Sequence, residues 1–77
     1  MNYQAFSDAS IVMMYEGVRG ALAADDASRA HGEEPQFRVR ETKEWKSHAA
    51  DLEVEMIRRG ISLNVIDWSG GQAELPL

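Results

Sequence analysis

Four side chains of the kinds that bind metal ions recur in the second half of the chain, at spacings of four, three and four residues. On an α-helix this spacing places them along one side, where they could ligate a divalent cation together with groups from a second copy. The Glu-x-x-His pair of di-metal helical bundles is missing, because Trp45 stands three residues before His48. We therefore expect a solvated acidic face and keep a metal-binding protein as an alternative. The four residues are Glu44, His48, Asp51 and Glu55.

A group of basic residues precedes and enters the same helix. A helix N-terminus flanked by basic side chains could hold a phosphate or a carboxylate, which suggests a regulator that binds nucleic acid or another anion. The whole chain is acidic, however, and protein–DNA affinity comes largely from neutralised phosphates. We therefore expect these side chains to pair with nearby carboxylates, disfavour nucleic acid as a partner, and keep the anion site as an alternative. The group consists of Arg38, Arg40, Lys43 and Lys46.

Residues that could support covalent catalysis are scarce. The chain has no cysteine, and none of its serines stands in a Gly-x-Ser-x-Gly turn. The sequence Gly17-Val18-Arg19-Gly20 lies inside a helical pattern, so it does not form a phosphate-binding loop. We predict a protein that is not an enzyme and that carries no cofactor.

The amino-terminal sequence bears on location. It lacks the basic stretch followed by an apolar one that a secretory signal requires. No apolar run approaches the roughly 20 residues of a membrane-spanning helix. Because the chain also lacks cysteine, it needs no oxidising compartment. We expect a cytoplasmic protein without a membrane partner.

The size of the chain limits its core. Its 77 residues form one domain at most, and burial of their apolar surface barely offsets the entropy lost on folding. We predict a single domain over residues 1–68 and a mobile tail over residues 69–77, which begin Ser-Gly-Gly. Because the net free energy of folding is small, we favour a second copy that completes the core.

Apolar residues recur at helical spacing from about residue 7 to residue 30. Ser7 is a suitable N-cap, and the apolar stripe begins at Ile11. Beyond Leu22 the stripe continues with Asp25 and Arg29, so we expect that end of the helix to be exposed and those two side chains to pair. Two glycines three residues apart would also let another helix approach closely. These glycines are Gly17 and Gly20.

The second predicted helix runs from about residue 41 or 42 to residue 59 and has two apolar stripes. Thr42 is its expected N-cap and Gly60 its expected terminator. The two stripes lie on nearly opposite sides, so we expect this helix to be covered on both. One stripe consists of Trp45, Ala49, Leu52 and Met56, and the other of Ala50, Val54, Ile57 and Ile61.

Two architectures fit this pattern. The favoured one is mainly α, a two-helix hairpin with an extended apolar C-terminal segment, completed by a twofold axis as a homodimeric four-helix assembly. The alternative is a small α+β fold with a strand–helix–strand unit from residues 37–66, because residues 37–40 and 61–66 alternate apolar and polar side chains.

An acidic helical protein that associates with itself is the function class that these features favour, with a structural or binding role. Large aromatic side chains are enriched where interfaces are strongest, and the second stripe needs a cover. The predicted interface consists of Val54, Ile57, Ile61 and Trp68.

Overall fold

The computed structural model describes residues 2–68, and the predicted tail over residues 69–77 lies outside them. A short 3₁₀ turn, Tyr3–Ala5, precedes two helices, α1 (Asp8–Ala30) and α2 (Lys43–Arg59). Residues 2–68 form no strand, so the mainly helical prediction is confirmed and the strand–helix–strand alternative lacks its strands.

The helix ends follow the sequence closely, with one difference. The Ser7 hydroxyl accepts a hydrogen bond from the Ser10 N–H at 3.1 Å and caps α1. Gly60 ends α2 in the left-handed conformation with φ 72°, which a residue without a Cβ adopts at little cost. Thr42 stands at the N-cap of α2, but its side chain makes no capping bond there.

The two helices pack antiparallel through one apolar stripe each. Arg59 at the end of α2 forms an ion pair with Asp8 at the start of α1, at 2.8 Å, and also binds the Tyr3 carbonyl at 3.1 Å. Both predicted inner stripes lie in the core, although Met14 and Trp45 are only partly buried. The buried helical members are Ile11, Tyr15, Val18, Ala21, Leu22, Ala49, Leu52 and Met56.

Two non-helical segments close this core. Val39, in the connection between the helices, is completely buried, and Ile66, in the segment after α2, is 4% exposed. Segment 61–68 lies along α1, because the Asn64 carbonyl accepts a hydrogen bond from Arg19 and the Ile66 N–H donates to the Tyr15 hydroxyl. The chain therefore supplies its own cover for the groove between the two helices.

Asp25 is the residue that the sequence analysis placed wrongly. It is completely buried rather than exposed, and its two carboxylate oxygens accept the N–H groups of Phe37 and Val39, each at 2.8 Å. Arg29 forms its ion pair with Glu41 rather than with Asp25, although its positive charge still acts on Asp25. Asp25 lies inside because the irregular connection has no neighbouring strand within residues 2–68 to accept the N–H groups of Phe37 and Val39, and a buried N–H needs an acceptor.

Within residues 2–68, no other helix of the chain itself approaches Gly17 and Gly20 closely. Both residues are exposed, and a Cβ at either position would meet no heavy atom within 4 Å. Helix α2 packs on the opposite side of α1, where the buried stripe lies.

The environment of Asp25 makes its charge important for stability. Burial alone would raise the pKa of this carboxyl, but the N–H groups of Val39 and Phe37 and the positive charge of Arg29 outweigh it and lower the pKa. A carboxyl with a lowered folded-state pKa stabilises the fold above its unfolded value, which is about 3.9. This contribution is lost as the pH falls through the folded-state pKa.

We predict that Asp25→Ala lowers the free energy of unfolding by about 2–4 kcal/mol at pH 7, because two N–H groups lose a charged acceptor. Glu34→Ala, which removes an exposed carboxylate, should change it by about 0.5 kcal/mol or less. Urea denaturation at several pH values measures both. The difference in the free energy of unfolding between the wild type and Asp25→Asn should stay constant above about pH 5 and shrink below about pH 4. A difference that does not change with pH would contradict a buried charged carboxylate.

Leu52→Ala should lower the free energy of unfolding by about 2–5 kcal/mol, because it leaves a cavity at a completely buried position. The control is Val65→Ala, since Val65 is mostly exposed and its truncation should cost about 0.5 kcal/mol or less. Denaturant midpoints of the two variants give the comparison. A loss below about 1 kcal/mol for Leu52→Ala would mean that this stripe does not form the core.

Candidate functional site

The side of α2 that faces away from α1 carries apolar side chains in contact with solvent. Val54 is 59% exposed and Ile57 is 67% exposed, one turn further along. Ala50 precedes them by one turn and is also exposed. We call these three residues the outer face of α2. Neither the 3₁₀ turn nor segment 61–68 covers them, so the prediction that this helix is covered on both sides is not met within residues 2–68.

The other two predicted interface residues pack against the chain's own core. Ile61 and Trp68 are partly buried there. The Lys46 ammonium lies 5.7 Å from the centre of the Trp68 ring, and the Trp68 carbonyl accepts from Arg40 at 2.7 Å. The contribution of Ile61 and Trp68 to an interface between copies stays a prediction, while Val54 and Ile57 are accessible.

Charged groups of opposite sign border the outer face along one flank. Asp51 is exposed, and Arg58, two helical turns further on, is 56% exposed while its Nη1 donates to Glu55 at 2.9 Å. Glu55 is also bound by Arg59 through its other carboxylate oxygen, at 2.8 Å. The bond from Arg59 is the main cause of the lowered pKa of Glu55. Next to this flank is an open hollow lined by Asn2, Tyr3, Gln4, Asp51, Val54 and Glu55.

The four candidate metal ligands do not converge. His48 Nδ1 lies 2.6 Å from the Tyr3 hydroxyl, while Glu55 is held by the two arginines near the end of α2. In the described residues no three histidine, aspartate or glutamate side chains are grouped closely enough to hold a metal ion. The hypothesis of a site formed by Glu44, His48, Asp51 and Glu55 therefore gains no geometric support.

The predicted basic group is engaged within the chain at two of its members. Arg40 binds both carboxylate oxygens of Asp26, at 2.9 and 3.1 Å, and this hydrogen bonding is the main cause of its raised pKa. Arg38 forms an exposed ion pair with Glu34 at 2.7 Å. These are the carboxylate pairings that the sequence analysis expected. The remaining members, both exposed, are Lys43 and Lys46.

Tyr15 joins three parts of the molecule, a role that the apolar stripe alone did not reveal. Its buried hydroxyl donates to Glu53 on α2 at 2.6 Å and accepts the N–H of Ile66 at 2.9 Å. Burial, followed by the bond to Glu53, raises the pKa of Tyr15 to about 12, so the hydroxyl stays protonated at neutral pH. The sequence did carry one signal of this role. A phenylalanine would fill the same position in the apolar stripe, whereas a buried tyrosine hydroxyl usually has a hydrogen-bond partner.

Comparisons of the chain with protein-family models, with curated proteins and with solved structures give no match. Neither helix of the described part is both long and apolar enough to cross a membrane. The geometry of the exposed surface is therefore the basis for assigning a function.

Tyr15→Phe tests how segment 61–68 is held. We expect a loss of about 1–3 kcal/mol in the free energy of unfolding, because the buried Ile66 N–H loses its acceptor. Hydrogen exchange at Ile66 should accelerate more than exchange at Leu52, in the centre of α2. Equal protection of the Ile66 amide in the variant and the wild type would show that another group holds this segment.

Proposed function

We propose that this protein associates with a second copy of itself through the outer face of α2 and serves a structural or binding role in that assembly. The supporting observation is the pair Val54 and Ile57, both mostly exposed on a helix whose opposite side already lies in the core. Single exposed apolar residues are ordinary on protein surfaces. Two large ones in adjacent turns, preceded by Ala50, form a continuous apolar strip along the helix.

The charges beside this strip favour a copy of the same chain as the partner. Asp51 and Arg58 carry opposite charges along one flank of it. Such a flank complements itself when the second copy is turned end to end, and no other molecule is needed to supply the matching pattern. The Ile61 and Trp68 side chains extend the proposed contact only if they leave their own core.

The magnitudes predict a weak association. Full burial of a valine or isoleucine side chain contributes about 1.5–3 kcal/mol, and those on the outer face are already partly buried. Four such side chains across a dimer therefore contribute roughly 4–8 kcal/mol, while association costs about 4 kcal/mol or more. The net gain of at most about 4 kcal/mol corresponds to a dissociation constant of about 1 mM, so we expect a dimer that forms towards millimolar concentrations and dissociates on dilution.

The other functions that the sequence suggested receive less support from the geometry. Arg40 is bound to Asp26, which leaves the anion hypothesis with one fewer available cation. We propose no catalytic role, no cofactor and no nucleic-acid partner. The cytoplasmic location also stays a proposal, since it rests on the composition of the chain.

Ile57→Ser tests the proposed dimer. We expect it to weaken self-association at least tenfold, because each copy loses apolar surface at the contact. The matched control is Met13→Ser, since Met13 is also 67% exposed but lies on α1. Sedimentation equilibrium between about 5 µM and 1 mM measures the mass of each variant.

The wild type should move from monomer towards dimer over this range, Met13→Ser should follow it, and Ile57→Ser should stay largely monomeric. Thermal unfolding of both variants at low concentration should match the wild type, because neither side chain lies in the core. A wild type that remains monomeric at 1 mM would overturn the proposed function.

A further inference from the structure

Asp51 and Arg58 are seven residues apart on α2, which places them on nearly the same side of the helix and about 10 Å apart along its axis. Between them, on the neighbouring outer face, lie Val54 and Ile57. Each of these two pairs is centred near residue 55. A single twofold axis near residue 55 therefore brings both pairs into register with their counterparts in an antiparallel second helix.

Given the proposed function, we propose that two copies meet antiparallel along α2, with Asp51 of each copy paired to the partner's Arg58. In this arrangement Val54 packs against the partner's Ile57, and the symmetry repeats both contacts. The interface then contains an apolar centre bordered by two ion pairs between the copies. The charges on the flank determine the direction in which the two helices run.

Arg58 is able to make this contact without leaving a buried carboxylate unpaired. Its side chain is more than half exposed, and one of its nitrogens donates to Glu55 Oε1. Glu55 keeps its second bond, from Arg59 to Oε2, if Arg58 turns away. The guanidinium group also has further N–H donors, so Arg58 can bind the partner's Asp51 while it still contacts Glu55.

The hollow beside Asp51 gives the incoming guanidinium group a place to lie. It is bordered by the carboxylates of Asp51 and Glu55 and by the side chain of Val54, with the 3₁₀ turn on its far side. Of these carboxylates Glu55 is already bound by Arg58 and Arg59, while the exposed Asp51 carboxylate next to an apolar side chain suits the planar, weakly hydrated head of an arginine.

A parallel arrangement of the two helices would not pair these charges. Its twofold axis runs along the helices and carries the partner's flank to the opposite edge of the contact, so Asp51 would not meet the partner's Arg58. In a head-to-tail contact between α2 and the exposed side of α1, Asp51 and Arg58 would lie at the contact without forming ion pairs with each other. In the antiparallel arrangement, Asp51 and Arg58 of both copies form two ion pairs related by the twofold axis.

The test is a charge exchange between two variants. Asp51→Arg makes the flank positive at both positions, and Arg58→Asp makes it negative at both. Each variant alone should dimerise at least tenfold more weakly than the wild type at about 20 mM salt. An equimolar mixture should recover association as heterodimers, and salt at about 0.5 M should reduce the difference between mixed and separate samples. Native mass spectrometry distinguishes the heterodimer from the two homodimers by mass.

The matched control is the exposed ion pair Glu34 and Arg38, because Arg38 is as exposed as Arg58 and lies outside α2. Glu34→Arg and Arg38→Asp should associate like the wild type, alone and mixed. Circular dichroism of each variant at low concentration checks that it folds. If either charge reversal fails to fold, Asp51→Asn and Arg58→Gln replace them. Each should dimerise more weakly than the wild type at about 20 mM salt and more nearly like it at about 0.5 M, and association equal to that of the wild type at both salt concentrations would overturn the ion pairs.

The outcomes separate the two proposals. A wild type that dimerises, with variants that dimerise equally well and show no preference for the mixed pair, overturns the antiparallel ion pairs and leaves the proposed function standing. A wild type that stays monomeric at 1 mM overturns both. Preferential formation of the heterodimer supports the proposed contact.

Discussion

The Asp25 carboxylate binds the backbone of the connection between the two helices, and closure of the core depends on that contact. Each helix contributes one apolar stripe, and Val39 fills the space at the end of the pair. To bring Val39 inside, the chain must bury irregular backbone that has no neighbouring strand in the described part of the chain. Asp25 accepts the N–H groups of Phe37 and Val39 and removes this cost. In the same way, the Tyr15 hydroxyl accepts a hydrogen bond from the N–H of Ile66, which lies in the segment after α2.

The buried Asp25 carboxylate and Tyr15 hydroxyl bear on how so short a chain forms a core. Length and composition suggested a core that a second copy must complete. In the structure, segments 31–42 and 61–68 cover the helix pair, and ten apolar residues among residues 2–68 are buried. The outer face of α2 is thus additional apolar surface rather than a gap in the core. A partner on that face would add to a fold that is already closed, which agrees with a weak and reversible association.

Much of the fold could be predicted from the sequence, because helix ends and stripes depend on local chemistry. Ser7, Gly60 and the spacing of Ile11, Tyr15, Val18 and Leu22 each act within a few residues. The roles of Asp25 and Tyr15 could not be predicted, since their partners lie 12 to 51 residues away. Periodicity assigns a residue to a side of a helix, but it does not show which loop reaches that side. For the same reason the sequence did not show that Ile61 and Trp68, predicted to share an interface with Val54 and Ile57, pack against the chain's own core.

The central claim is that one chain closes its own core and offers the outer face of α2 to a second copy. Methyl NMR spectra of the wild type, recorded from about 20 µM to 1 mM, test both parts in one series. The account predicts that the Val54 and Ile57 methyl signals shift with concentration, while those of Val39 and Leu52 stay unchanged and well dispersed. Signals that do not change anywhere, or concentration-dependent shifts at Val39 and Leu52, would contradict it.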